Sequence, residues 1–355
     1  MGGGLATYAF LNAKLRGRIS KLLDDEFYRA LARARSFVEA IAMLSGTRYE
    51  PAAEAYNRTG DVKLAELELV NVERRAVGGL ERYAPREIAP FVSAVLDELE
   101  VVSAKQALRL WFERTVRGRP IDEKVAYVIR GEGVHGLAVD HCINASSVDG
   151  LVHALEGRPY LSAIREHLSR VAEVGTLFHV ETALDRWYAE HLTEAAERLS
   201  DRDAEVALRL LGIQTDIRNV NWIVRMRRSY ELDESELTES ILPGGWMLSV
   251  DRLRVAARSD RPVDQLTAAL ASRYASLVAG GPDDETRGVE RLALIEEMLR
   301  SILFQEIHRT LGGYPFTIGT FLAYVLLTHN EIRLLVSVLN AKYYELAPER
   351  VEELI

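Results

Sequence analysis

Val148-Asp149-Gly150-Leu151-Val152-His153-Ala154-Leu155 is a stretch that this 355-residue chain repeats 115 residues further on. The second copy is Val263-Asp264-Gln265-Leu266-Thr267-Ala268-Ala269-Leu270, and the two share the pattern V-D-x-L-x-x-A-L. Residues 36–44 resemble both copies more weakly. A period of this length predicts a fold built from copies of one unit.

A second landmark occurs three times, once in each unit. Glu100, Asp216 and Glu331 are each followed by valine or isoleucine, and they are 116 and 115 residues apart. Each acidic residue lies between two apolar stretches, so we expect one helix to end there and another to begin. The tripeptide Tyr-Glu-Leu closes the last two units, at residues 230–232 and 344–346. Three units account for nearly the whole chain.

The apolar residues follow the period of an α-helix. They recur at i, i+3, i+4 and i+7 in residues 24–44, 181–199 and 291–311, and alternating strand patterns are almost absent. The sequence therefore predicts an all-α fold.

The repeats divide the chain into three helical domains, which we place at residues 1–123, 124–238 and 239–355. Proline and glycine interrupt the helical pattern at matching places in the units. Residues 113–117, just before Gly118-Arg119-Pro120, indicate a small insertion.

Composition narrows the class of protein. A formal net charge of −9 argues against a nucleic-acid partner, and the single cysteine, Cys142, permits neither an internal disulfide nor a cysteine-based metal cage. The polar start of the chain has no signal-peptide core. The longest apolar stretch, residues 316–328, is shorter than the roughly 20 residues that a membrane span needs. We expect a cytoplasmic protein that does not insert into a membrane.

One motif is typical of nucleotide binding. Residues 131–136 satisfy G-x-G-x-x-G, follow an apolar run, and have Glu156 about twenty residues downstream. That fingerprint, however, requires a parallel sheet, and no strands alternate with helices here. The corresponding place in the next unit holds residues 242–246, Leu-Pro-Gly-Gly-Trp. We interpret both segments as linkers between repeats.

Two residue groups have partial metal-ligand chemistry. Glu132 and His135 form a single E-x-x-H pair, whereas a di-metal bundle needs two such pairs and two further carboxylates. Asp140, His141 and Cys142 are adjacent in sequence, but their pattern is that of an amphipathic helix with a small buried cysteine. We predict no metal, no cofactor and no catalytic residue.

Arginines cluster at two places, and each cluster has two interpretations. The clusters are Arg29, Arg33 and Arg35, and Arg225, Arg227 and Arg228. Either they are solvated helix faces, or they form an electrostatic docking surface for an acidic partner.

The motifs resemble those of one known family, the C subunits of the A/V-type ATP synthases, which are similar to the d subunit of the vacuolar ATPase. The resemblance is carried by residues 216–225 (Asp-Ile-Arg-Asn-Val-Asn-Trp-Ile-Val-Arg), 242–245, 322–335 and the opening helix at residues 8–18. Two positions depart from the family pattern, because Ser103 and Leu334 stand where its asparagine is expected.

The resemblance implies three similar helical domains arranged as a funnel around a pseudo-three-fold axis. Such a funnel sits on the membrane rotor ring, receives the end of the central shaft, and transmits torque without chemistry of its own. It also implies a peripheral position on the cytoplasmic face of the membrane. The best positions for shaft contacts are Arg218, Arg225 and Arg333, which have an alternative role in holding helices together within each repeat.

Two other functions remain open from the sequence. The chain is alternatively a helical-repeat scaffold, unrelated to ATPases, that binds a protein in its concave face. A third interpretation is an enzyme that uses residues 131–136.

Overall fold

The computed structural model describes residues 3–121, 136–229, 236, 238, 240–259, 261–271, 288–347, 350 and 351. Every regular element in these residues is helical and none is a strand, which confirms the predicted all-α class. The α-helices are α1 Gly3–Ile19, α2 Asp25–Arg33, α3 Phe37–Ala42, α4 Glu50–Thr59, α5 Val62–Gly78, α6 Ala89–Trp111, α7 Val139–Asn144, α8 Val148–Ala154, α9 Leu161–Val174, α10 Phe178–Glu197, α11 Asp201–Ser229, α12 Val250–Arg258, α13 Pro262–Ala271, α14 Gly288–Gly312 and α15 Gly319–Tyr343.

The order of helices repeats along the chain. Two short helices, a medium one and two long ones make up α2–α6 and again α7–α11. The series returns as α12, α13, α14 and α15, with residues 272–287 outside the described residues. The sequence period therefore corresponds to a repeated series of helices.

Serine caps explain where the repeated short helices begin. The hydroxyl oxygens of Ser36 and Ser147 accept the backbone N–H groups of Glu39 and Gly150, which start α3 and α8. The shared serine cap supports the weak match between residues 36–44 and the later segment. The cap at Ser36 also splits the predicted helical stretch 24–44 into α2 and α3. The stretches 181–199 and 291–311 form α10 and α14 as predicted.

The chain separates into two compact units. One comprises Met1–Ala9 with Thr182–Ala323, and the other comprises Phe10–Glu181 with Tyr324–Ile355. In the second unit, a core joins α2–α5 to the second half of α15, where Ile332, Leu335 and Val338 are buried. Residues 28–72 therefore share one core with residues 332–351.

Helix α6 ends in a π-helical turn at the place of the predicted insertion, residues 113–117. Residues Phe112–Val116 continue α6 with wider hydrogen bonding, and the N–H of Arg117 donates to the carbonyl of Phe112, five residues earlier. A π turn accommodates one extra residue without ending the helix. The insertion itself stays a prediction.

Helix α15 is the one described helix whose length and composition would suit a membrane span, with a mean hydropathy of 1.3 over its most apolar window. In the structure, 61% of that window is buried inside the protein. Burial by protein explains its apolar composition as that of a core helix.

Candidate functional sites at the repeated acidic residues

The three repeated acids lie inside continuous helices, so the expected helix break at each of them was wrong. Glu100 lies in α6, Asp216 in α11 and Glu331 in α15, and their exposed fractions do not exceed 4%. A buried carboxylate needs hydrogen-bond or ionic partners, and these come from segments outside its own helix. We call the three groups of partners the Glu100, Asp216 and Glu331 sites.

The Glu331 site joins helix α15 to residues that precede α2 and α4, in the first sequence repeat. One carboxylate oxygen, Oε1, accepts the backbone N–H of Leu23 at 2.6 Å, and Oε2 pairs with the Arg48 guanidinium at 2.7 Å. The hydroxyl of Tyr49 is a further hydrogen-bond partner of the carboxylate, and Arg48 also donates to that hydroxyl. The site is a network of charged and hydroxyl groups.

Burial dominates the acid–base properties of this site. It raises the pKa of Glu331, and the opposing effect of the Arg48 charge is smaller. Burial, followed by the negative charge of Glu331, also raises the pKa of Tyr28 and of Tyr49. Both phenols therefore stay protonated and available as donors at neutral pH.

The Glu100 site has the same kind of partners. The Tyr160 hydroxyl donates to Glu100 at 3.0 Å, and the Arg158 guanidinium lies 3.4 Å from the carboxylate. Burial and then the Glu100 charge raise the pKa of Tyr160. Tyr49 and Tyr160 lie five residues after the matched leucines Leu44 and Leu155, so they are equivalent positions in two repeats.

The Asp216 site uses backbone amides instead. The N–H groups of Trp246, Met247 and Leu248 donate to its carboxylate at 3.1, 2.7 and 3.3 Å. Hydrogen bonds from several amides to a carboxylate are charge-assisted and stabilise a tight turn. This turn immediately follows the Leu-Pro-Gly-Gly segment.

Glycine is required at residue 245 by the closeness of Asp216. A Cβ at this position would lie 2.3 Å from Oδ1 of Asp216 and 2.7 Å from the carbonyl oxygen of Leu248. Gly244, with φ of +87°, adopts the left-handed conformation that favours glycine. Gly245 therefore leaves room for the Asp216 carboxylate of the same chain, and Gly244 supplies the left-handed backbone just before it.

Asn219 binds the start of the same segment. Its amide nitrogen donates to the carbonyl of Leu242 at 2.9 Å, and its amide oxygen accepts the N–H of Leu242 at 2.8 Å. The two sequence motifs that carry the family resemblance, Asp-x-x-Asn and Leu-Pro-Gly-Gly, are therefore two halves of one structural contact.

The departures from that pattern have structural counterparts. Ser103, where an asparagine was expected, donates to the carbonyl of Leu99 and accepts a hydrogen bond from buried Arg74. Leu334 packs against the core of α2–α5. The asparagine contact belongs to the Asp216 site, and the other two sites use tyrosine and arginine.

The arginines predicted for shaft binding have internal contacts where their side chains are described. Arg218 is half-buried, with its guanidinium 5.9 Å from the centroid of the Tyr188 ring. Arg333 donates twice to the amide oxygen of Asn330, one turn earlier on α15. Arg225 lies in α11, and its side chain is outside the described set. The Arg218 contact joins α11 to α10, which agrees with the alternative role in holding helices together, whereas the Arg333 contact lies within α15.

Most residues of the predicted nucleotide and metal motifs fall outside the described residues, including all of 131–135. Cys142 is buried in α7, and burial raises the pKa of its thiol to about 11. Across the described ranges, no group of three or more histidine, cysteine or acidic side chains is placed to hold a metal.

The sequence did not point to Arg48, Tyr49, Arg158 or Tyr160 as partners of the acids. One signal was present, because Ser36 and Ser147 are separated by the same 111 residues as Tyr49 and Tyr160. Extending the weak third copy by five residues would have found the tyrosines.

Comparison with known proteins gives one consistent result along the chain. A family model described as "ATP synthase (C/AC39) subunit" matches residues 11–354. The chain is 25% identical over 338 residues to the C subunit of the A-type ATP synthase of Methanosphaera stadtmanae, covering 94% of this chain and 84% of that protein. It is 24% identical over 355 residues to the C subunit of the A-type ATP synthase of Thermococcus gammatolerans, covering 98% and 89%.

Proposed function

Because this chain belongs to the ATP synthase (C/AC39) subunit family, we propose that it is a non-catalytic rotor subunit of an A/V-type ATP synthase. It links the central shaft to the membrane rotor ring and transmits torque during ion-coupled synthesis or hydrolysis of ATP. The observation that carries this proposal is the family match over residues 11–354.

The repeated series of helices supports a further part of the proposal, the division of the chain into three similar domains. Three similar helical domains, residues 1–123, 124–238 and 239–355, form a funnel around a pseudo-three-fold axis. The same acid position recurs in α6, α11 and α15, as expected for copies of one unit. The funnel holds the end of the shaft in its cavity.

The buried acid sites support a mechanical role. Buried hydrogen bonds and ion pairs restrain the elements that they join. The Glu331 site connects residues 308 apart in sequence, and the Asp216 site holds a turn between helices α11 and α12. A protein that transmits torque has to resist deformation, and these contacts oppose it.

The partners are the shaft subunits and the rotor-ring subunits, with no nucleic acid and no cofactor. The protein is peripheral on the cytoplasmic face and has no membrane insertion of its own. Arg218, Arg225 and Arg333 are the residues proposed for the shaft, and charge reversal tests Arg218 and Arg333.

Reconstitution tests the function directly. The purified full chain is mixed with the shaft subunits and with the detergent-solubilised rotor ring, and complexes are resolved by size-exclusion chromatography. We expect binding to both partners, and ATP-driven ion pumping that depends on the chain after assembly into the complete complex. A folded chain that binds neither partner contradicts the proposal.

A matched control separates shaft contacts from general charge effects. Arg218→Glu and Arg333→Glu are compared with Arg198→Glu, whose native side chain is 77% exposed. Charge reversal at an interface is expected to weaken shaft binding by roughly tenfold at low salt, and the control should leave it unchanged. Unchanged binding by all variants removes these arginines from the interface.

A further inference from the structure

A cluster of aromatic and cationic side chains lies on the surface away from the acid sites. It consists of Phe10 and Lys14 on α1, with Arg82 and Tyr83 in the 3-10 helix Glu81–Tyr83, and we call it the cation–aromatic surface. Its centre is the Tyr83 ring. The ammonium of Lys14 lies 4.1 Å from the ring centroid, and the guanidinium carbon of Arg82 lies 4.8 Å from it.

The two cations lie against the same aromatic ring. Within the described residues, neither Lys14 nor Arg82 forms an ion pair with a carboxylate, unlike Arg48 and Arg158 at the acid sites. Two like charges close together repel, and the face of an aromatic ring offsets only part of that repulsion. A bound anion would relieve it, so this surface attracts negative charge although the whole chain carries −9.

An apolar anchor lies beside the cations. Phe10 is 66% exposed, its ring centroid lies 6.1 Å from that of Tyr83, and it precedes Lys14 by one helical turn. Residues four apart share one face of a helix. The surface therefore presents the apolar side chain of Phe10 and the cationic side chain of Lys14 one turn apart along α1. This spacing matches a partner helix that carries an apolar residue and an acidic residue one turn apart.

The local sequence holds this surface in place. Leu11 and Leu15 alternate with Phe10 and Lys14 on α1 and are fully buried, which keeps the other two side chains on the outer face. On the same helix, Arg18 donates to the carbonyl of Ala76 at 2.8 Å, which ties α1 to the end of α5, shortly before the 3-10 helix. The surface is thus built on anchored elements.

We propose that the cation–aromatic surface binds an acidic helical segment of the shaft. This inference rests on the proposed function and adds the residues and the chemistry of one contact. Its residues are other than Arg218, Arg225 and Arg333, which the proposed function assigns to the shaft. Tyrosine and arginine are enriched among the residues that dominate binding energy at protein interfaces.

The test measures binding of the full chain to the purified shaft subunits and, separately, to the solubilised rotor ring. We expect the variant Lys14→Glu/Arg82→Glu to bind the shaft roughly 10- to 100-fold more weakly at low salt, with a smaller loss at high salt because screening weakens the native contact. Tyr83→Ala is expected to bind the shaft about tenfold more weakly. Tyr83→Phe, which keeps the ring, should bind it with an affinity within about twofold of that of the unaltered chain.

Two controls match the changes. Arg198→Glu reverses an exposed charge elsewhere, and Tyr344→Ser removes an aromatic ring that is 71% exposed. Thermal melts establish that every variant is folded. Phe10→Ser provides a second, uncharged variant and is expected to weaken shaft binding by roughly tenfold.

The outcomes separate this inference from the proposed function. If the unaltered chain binds the shaft and the surface variants bind it equally well, the inference is overturned and the function stands. Equal losses in the controls, or a loss of ring binding alone, also overturn the inference. If the unaltered chain binds neither shaft nor ring, the proposed function fails and the inference fails with it.

Discussion

The Asp216 and Glu331 sites occupy equivalent positions in two repeats, and they stabilise a buried carboxylate by different chemistry. Asp216 accepts three backbone N–H groups from one turn, whereas Glu331 is held by an arginine, a tyrosine and one N–H. The aspartate side chain is shorter than that of glutamate, so the backbone of the turn has to come very close to Asp216. This close approach requires glycine at residue 245. The comparison shows that the repeat preserves the position of the acid and leaves its partners free to differ.

The largest expected effect is on the Asp216 site, where backbone N–H groups bind the carboxylate. Gly245→Ala should destabilise the protein by about 3 kcal/mol, because its Cβ would overlap Oδ1 of Asp216 and the carbonyl of Leu248. Gly17→Ala is the matched control, since a Cβ there meets nothing within 4 Å and alanine favours a helix. Chemical denaturation measures both. A tolerated Gly245→Ala would show that the turn can move away from Asp216.

The next largest effect is expected at the Glu331 site, where Arg48 forms an ion pair with the carboxylate. Arg48→Met leaves Glu331 buried without its cation, and we expect a loss of about 2 kcal/mol, less than for a fully buried pair because Arg48 is 25% exposed. The double variant Arg48→Met/Glu331→Met should be more stable than the single one, since it removes the stranded charge. If the double variant is less stable than Arg48→Met, the carboxylate is held mainly by Leu23 and Tyr49.

A smaller loss is expected at the Glu100 site. Arg158→Met should cost about 1 kcal/mol, because the guanidinium lies 3.4 Å from Glu100 and the Tyr160 hydroxyl remains as a donor. Tyr160→Phe, which removes the shorter contact, should cost at least as much. Denaturation midpoints for the two variants rank the contacts, and the reverse order would contradict this assignment.

The smallest effect is a change in pH dependence. Because burial raises the folded-state pKa of Glu331, the protonated form favours folding. This contribution is fully present below the unfolded pKa of about 4.3 and is lost as pH rises through the higher folded value. The stability difference between the unaltered chain and Glu331→Gln should therefore fall as pH rises through this window. A difference that grows instead would mean that Arg48 outweighs burial.

The positions of the acids could be predicted from the sequence, but their surroundings could not. Recurrence near 115 residues located Glu100, Asp216 and Glu331 because a repeat is visible without any structure. The predicted helix breaks were wrong because a polar residue between two apolar stretches was interpreted as the end of one helix and the start of another. Partners 283 residues away, such as Arg48 for Glu331, leave no local pattern from which burial can be inferred.

The glycine motif illustrates the same limit. Residues 242–245 were interpreted as a linker between repeats, and they do lie between α11 and α12. That Gly245 faces Asp216 depends on the close approach of two segments about 30 residues apart. The all-α class, in contrast, follows from local periodicity and is confirmed.

The shared core of α2–α5 and α15 has a consequence for synthesis of the chain. Helices α2–α5 leave the ribosome long before Ile332, Leu335 and Val351, against which they pack. Until those residues emerge, the apolar faces of α2–α5 lack part of their native cover and are exposed to aggregation. Contacts of such long sequence separation slow folding. A ribosome that stalls within α15 would therefore release a chain in which α2–α5, synthesised much earlier, have not completed their core.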